Sequence, residues 1–296
     1  MRENAIWEIS ANLSLILIGT VHGDPRGLAR AGKLLDRLRP DLVTVEISPF
    51  SLGYRLKHGR RWQRRLLAAL AELPAGAESH LAIQRLAAQV ALPFEVRAAG
   101  DYSRRVNVPW RPLDLGFLSR RHLPRYETEL LSPANLQALL ATADGSLADF
   151  VAGEFRRARQ ALAGPPRRRI FPGVPETARR ERFLARRLRG LVSRHRRVVH
   201  LGGWEHLVAW EDAPGLWPDL ADLKPRRLLL DEADQLPDFE MHPIRFKVQG
   251  SRLGVCTSGT LHNVCVGRRS VGNCLQKFYL EKLLRIWGHR RLACAG

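Results

Sequence analysis

Residues 13–18 read Leu-Ser-Leu-Ile-Leu-Ile, an almost unbroken apolar run that stops at Gly19. Six residues are too few for an ordinary helix and suit a strand buried on both faces, as in a parallel sheet covered by helices. Gly19 predicts the end of the strand through its backbone freedom. Asp24 and Pro25 then read as the cap and first position of a helix. Within residues 25–38, Leu28, Leu34, Leu35 and Leu38 recur at helical spacing, and Pro40 ends the pattern. Residues 42–47 predict a second strand that carries Glu46 at its carboxyl end. Strand, helix and strand within 35 residues predict a βαβ unit with two parallel, neighbouring strands.

Further on, Trp62, Leu66, Leu67 and Leu70 alternate with arginines and predict an amphipathic helix over 60–73. Residues 81–105 continue in helix with a break or kink near Pro93. Residues 106–115 alternate but contain two prolines, which predicts a third strand at the mouth or edge of the sheet, ending at Asp114. Ser132 and Ser146 open helices, a loop spans 164–169, and a basic helix over 176–192 turns Phe183, Leu184, Leu188, Leu191 and Val192 inward. Strands over 198–201 and 225–231 complete the core. The expected fold class is α/β: one domain over 1–236 with a mainly parallel sheet flanked by helices and a helical insertion at about 116–195. Residues 237–296, where regular patterning fades, are expected to be a C-terminal appendage.

Two parts of the chain echo each other. Strand, Gly-x-x-His, Pro, strand and carboxylate occur with His22, Pro40 and Glu46, and again with His206, Pro225 and Asp231. Both histidines therefore fall just past the carboxyl end of a strand, where open α/β sheets bind ligands.

Composition alters this picture little. The formal net charge of +19 rests on arginine, with only six lysines. Such a surface attracts nucleic acid non-specifically, although an arginine-heavy chain also follows from the base composition of a genome. No apolar run approaches the length needed to span a bilayer, and the N-terminus makes a poor signal peptide, so a soluble cytoplasmic protein is expected. The four cysteines, Cys256, Cys265, Cys274 and Cys294, all lie in the last 41 residues, with spacings unlike a paired zinc motif.

Two neutral imidazoles and a carboxylate, here His22, His206 and Glu46, are a donor set able to hold a divalent ion such as Mn, Co or Zn, which would acidify a bound water. Each residue also has a plain structural reading. A lone histidine after a strand is more often a hydrogen-bonding core residue, Glu46 can cap a helix, and Glu181-Arg182 can be a solvated pair. Asp114 is a minor candidate, Asp231 reads as a turn residue, and His200 as a satisfied core histidine.

Taken in order, Gly19-Thr20-Val21-His22, Glu46 after Val45, Glu181-Arg182 and Gly203-Trp204-Glu205-His206 resemble the TraB/PrgY pheromone-shutdown and TIKI superfamily, related in fold to erythromycin esterase-like and ChaN-like proteins. The resemblance covers residues 13–236 and departs at Trp204 and Glu205, where the family often has a small residue and no acid. It implies a hydrolase that cleaves a peptide or ester bond. The TIKI proteins imply metal-dependent proteolysis through His22, Glu46 and His206. The esterases imply a histidine general base partnered by Glu46, with Arg182 stabilising negative charge and Glu181 orienting Arg182 or a histidine. The ChaN-like relatives imply a rival function, capture of haem or another small molecule without catalysis. A third reading is nucleic-acid binding through Arg60, Arg61, Arg64 and Arg65 and residues 167–169, but basic helices of this kind are more often solvated faces, and the one aromatic among these arginines, Trp62, belongs to the apolar side of the amphipathic helix.

Overall fold

The computed structural model describes residues 14–166, 175–211 and 215–236. The expected appendage at 237–296 with its cysteines, the arginines at 167–169 and Leu13 lie outside these residues. In chain order the elements are β1 (Leu15–Thr20), α1 (Gly27–Leu38), β2 (Leu42–Val45), α2 (Pro49–Leu70), α3 (Leu81–Val90), α4 (Phe94–Val106), β3 (Trp110–Pro112), α5 (Phe117–His122), α6 (Pro133–Leu140), α7 (Leu147–Ala163), α8 (Pro175–Val192), β4 (Val198–Gly203), α9 (Leu216–Leu220) and β5 (Arg226–Leu229). No helix among the described residues is long and apolar enough to cross a membrane.

The five strands form one sheet in the order β3-β2-β4-β1-β5, and every pairing is parallel. The fold is α/β. All six residues of β1 and all four of β2 are buried, as expected where helices cover both faces. β3, with its Pro112, takes the edge, where a missing ladder donor is tolerated.

The strand order departs from the sequence expectation in one respect. β1 and β2 are parallel but not neighbours, because β4 lies between them. Likewise β4 and β5 are separated by β1. From β1 the chain steps over β4 in one direction, and from β4 it steps over β1 in the other. Right-handed crossovers then put the two connections on opposite faces, with α1 packed on α4 and α9 packed on α8. The carboxyl edge between β1 and β4 is thus a topological switch point, where the diverging connections leave a crevice.

Local signals explain the helix ends. α1 begins two residues later than the sequence suggests, because the Asp24 side chain accepts from the Arg26 amide at 2.9 Å and closes a turn before the helix. α2 begins earlier, at Pro49, with Ser48 Oγ accepting from the Ser51 amide at 3.0 Å. Pro93 splits the long helix into α3 and α4. The helical region has two parts. Trp62, Leu66, Ile83, Leu86, Tyr126, Leu136 and Leu139 form a satellite core, whereas Phe155 on α7 and Leu184 and Leu188 on α8 belong to the main core against the sheet. The satellite thus draws on α2 and α3, ahead of β3, as well as on the expected insertion.

Gly19 does not end β1, which runs on to Thr20; it is needed there for space rather than for backbone angle, and the positive φ in the following turn, 95°, belongs to Gly23. A Cβ on Gly19 would stand 2.9 Å from the Cα of Trp204, so the turn that carries His206 can fold over β1 only because Gly19 has no side chain. Gly19→Ala should therefore destabilise the fold by about 1–3 kcal/mol through a forced backbone shift. Gly190→Ala, on α8 with no atom within 4 Å of its added methyl, should stabilise by about 0.5–1 kcal/mol through helix propensity. Urea denaturation of the two variants checks the opposite signs.

Candidate functional site

Register determines which side chains meet. Thr44 and Val45 on β2 pair with His200 and Leu201 on β4, and the Glu46 amide donates to the Leu201 carbonyl at 2.9 Å. Side chains alternate along a strand, so Thr44 and Glu46 share one face of β2, beside His200 and Gly202 on β4. A Cβ on Gly202 would lie 2.9 Å from Glu46 Oε2. The bare glycine lets the carboxylate lean across β4.

There Glu46 meets three partners. Its Oε2 accepts from the Gly203 amide at 2.7 Å. Its Oε1 lies 2.8 Å from His206 Nε2 and also accepts from the Arg180 guanidinium. Arg180 reaches on to Asp114, with Nε and a terminal nitrogen each 2.5 Å from a carboxylate oxygen. Burial on its own would favour the neutral guanidine. The Asp114 and Glu46 carboxylates outweigh that and hold the Arg180 pKa well above its ordinary value.

His206 sits in the turn after β4, 1% exposed. Its Nδ1 is 2.7 Å from Glu181 Oε2, and the same oxygen accepts from the Leu216 amide at 3.0 Å. Both ring nitrogens thus face carboxylates. The arrangement holds either an imidazolium or a neutral ring with a proton on one carboxyl group.

On the β1 side, His22 Nδ1 lies 2.9 Å from Glu95 Oε1, which also accepts from Thr20 Oγ1 at 2.9 Å. The His22 side chain is 17% exposed, against 3% for Glu95. A Cβ on Gly203 would have His22 Nε2 at 3.4 Å, Glu46 Oε2 at 3.7 Å and His206 Cδ2 at 4.0 Å. The two imidazoles and the carboxylate therefore converge on one small volume at the switch point.

Of the residues expected from sequence, His22, Glu46, Glu181 and His206 come together and Arg182 does not. Arg182 is exposed on α8, and Arg180 occupies the place expected of it. The helical repeat explains the exchange: Arg180, Glu181, Leu184, Ala185, Leu188 and Leu191 form the buried face, and Arg182 points away from it. Asp114 joins the cluster through Arg180. Asp231 instead accepts from Arg159 at 2.7 Å. Glu95 belongs to none of the sequence motifs. Its signal is the helix period, since it shares the α4 face of Phe94, Ala98, Ala99 and Tyr102, an acid among apolar positions.

Comparison with protein-family models, with curated proteins and with solved structures finds no match. The resemblance to the TraB/PrgY and TIKI superfamily rests on the motifs alone.

Among the described residues no group of three or more His, Cys, Asp or Glu side chains is arranged to hold a metal ion. The hydrogen bonding accounts for this at the expected ligands. Both nitrogens of His206 and both oxygens of Glu46 are committed to protein partners, and a guanidinium sits on Glu46. A divalent ion would have to displace that cation, so the residues as arranged do not fit a metal centre.

His200 is buried at 1% exposure, and its Nδ1 is 2.9 Å from Thr44 Oγ1. It differs from the satisfied core histidine expected from sequence, because its Nε2 has no hydrogen-bond partner among the described residues. Burial pushes its pKa from the ordinary 6.5 down to about 4. As pH falls below 6.5 the unfolded chain takes up a proton that the folded ring refuses, so the contribution present above 6.5 is lost between pH 6.5 and 4. The stability difference between wild type and His200→Leu should shift by about 1.4 kcal/mol against the wild type from pH 8 to pH 5.5. Denaturant melts at the two pH values measure it, and a difference independent of pH would contradict the assignment.

The ion-pair network makes a second prediction. Arg180→Ala, which strands Glu46 and Asp114, should destabilise by about 3–5 kcal/mol. Arg182→Ala should stay within about 0.5 kcal/mol of wild type. Thermal unfolding separates the two.

Proposed function

We propose that this protein is a hydrolase of ester or peptide bonds, of the kind the TraB/PrgY and TIKI resemblance implies, acting by acid–base chemistry between two histidines. The observation that carries the reading is the convergence of His22 Nε2, Glu46 and His206 beside Gly203 at the switch point between β1 and β4.

In this mechanism Glu95 accepts from His22 Nδ1–H and so fixes the tautomer that presents Nε2 as the base, the role a buried carboxylate plays beside a catalytic imidazole. His22 Nε2 takes a proton from water as the water oxygen attacks the scissile carbonyl carbon. The proton shared by His206 and Glu46 serves the departing alkoxide or amine when the carbon–oxygen or carbon–nitrogen bond breaks. Arg180 and Glu181 hold that pair in place. His22 is the more exposed of the two imidazoles, which suits the one that activates water.

The ligand-binding alternative has less support. Axial ligation of haem uses a ring nitrogen lone pair; both nitrogens of His206 face carboxylates, so a pair of axial histidines is not offered and His22 Nε2 alone would serve.

His22→Ala should lower turnover of p-nitrophenyl esters or fluorogenic peptides by about 10²–10⁴-fold in the folded protein, with a lower melting temperature because the buried Glu95 loses its ring partner. Glu95→Gln should lower it by about 10²-fold or more through the wrong tautomer. Wild-type turnover of neither panel, or full activity in His22→Ala, would refute the hydrolase reading.

A further inference from the structure

The chemistry above makes no use of His200, yet this imidazole and Glu46 act on one another electrostatically. Its Nε2 is a buried ring nitrogen with no hydrogen-bond partner among the described residues, a condition that native interiors largely avoid. The position is specific. A Cβ on Gly202 would lie 3.0 Å from His200 Nε2 and 2.9 Å from Glu46 Oε2, so the two atoms approach one point that Gly202 leaves bare. The other charged or titratable groups acting on the ring are Arg180 and Glu181 on α8 and His206 in the turn after β4. Burial keeps the ring uncharged at neutral pH, so it acts on its neighbours as a dipole.

The direction of that dipole depends on the tautomer. The Thr44 hydroxyl has two acceptors in reach, His200 Nδ1 at 2.9 Å and the Val199 carbonyl at 3.4 Å. When it donates to the nearer one, the ring proton is on Nε2, and an N–H approaches the carboxylate. With the proton on Nδ1, a nitrogen lone pair would face Glu46, two negative ends in a poorly screened interior. Electrostatics selects the first arrangement.

We infer that His200 is a positioning residue for Glu46: a neutral imidazole in the Nε2–H form whose dipole keeps the carboxylate ionised and turned toward His206. The inference rests on the acid–base role proposed for Glu46. It makes the floor of the site, two residues before Gly202 on β4, part of what tunes the proton shared above it.

Long-range ¹H–¹⁵N correlation spectra of the full chain, with the His200 signals identified by their loss in His200→Gln, report the tautomer directly. The expected result is the Nε2–H form from pH 6 to pH 8, with an Nε2 resonance that moves in Glu46→Gln. An Nδ1–H ring, or a resonance indifferent to Glu46→Gln, would overturn the inference. On any ester or peptide that the wild type hydrolyses, His200→Gln, which carries an amide N–H close to the Nε2 position, should keep kcat within about threefold. His200→Leu should lower kcat by about tenfold or more and move the acid limb of the pH profile, with KM little changed. Equal kcat and pH profile in folded Leu and Gln variants would also overturn it. If His200→Leu does not fold, His200→Asn replaces it, since its amide nitrogen lies nearer the Nδ1 position. Failure of the wild type on every substrate would remove the hydrolase reading, and the tautomer measurement would still decide the placement of His200.

Discussion

A carboxylate taken out of water must be compensated, and Glu46 is where this protein meets that demand. Its two oxygens face a backbone amide, a guanidinium and an imidazole, and each partner needs support of its own. Arg180 requires Asp114 on the far side. His206 requires Glu181, which is anchored by the Leu216 amide at the start of α9. One buried charge thus ties β2, α8, β4, the loop after β3 and α9 into a single network. Because a half-satisfied network is worse than an apolar one, these residues hold together or fail together.

The sheet supplies the other condition. A plain βαβ ladder would put β2 beside β1 and send successive connections the same way. Here β4 is interposed, the connections after β1 and β4 diverge, and the space between their carboxyl ends is left open. Gly19 and Gly202, paired across β1 and β4, keep that edge bare. Above one the turn bearing His206 folds over, and across the other Glu46 reaches inward. Two histidines far apart in the chain owe their meeting to this pair of missing side chains.

How much of this could be read beforehand follows from the range of each signal. The apolar runs of β1, β2 and β4 and the edge position of the proline-bearing β3 are local, and they were legible. So were His22, Glu46 and His206, because each closely follows the end of a strand. Strand order was not legible, since the adjacency of β1 and β4 depends on packing across some 180 residues. Arg180 and Arg182 differ only in helical phase, and a helix with arginines on several faces hides which one turns inward until its buried stripe is traced. Glu95 was masked for another reason. An acid in the first turn after a proline is the ordinary complement of a helix N-terminus, and that common role conceals the rarer one. His200 reads as a satisfied core histidine because Glu46, which acts on it, comes from another strand.

The central place of β1 bears on how the chain acquires this architecture. Among the described residues its partners in the sheet are β4 and β5, which begin at Val198 and Arg226, so during synthesis this fully buried strand emerges long before the strands it pairs with. β2 and β3, by contrast, can pair early. Such dependence on distant contacts slows folding and prolongs the exposure of sticky, unpaired strand edges. The interposed strand that opens a crevice in the finished protein therefore also leaves the nascent chain with a long interval in which Leu15–Thr20 is without its sheet partners.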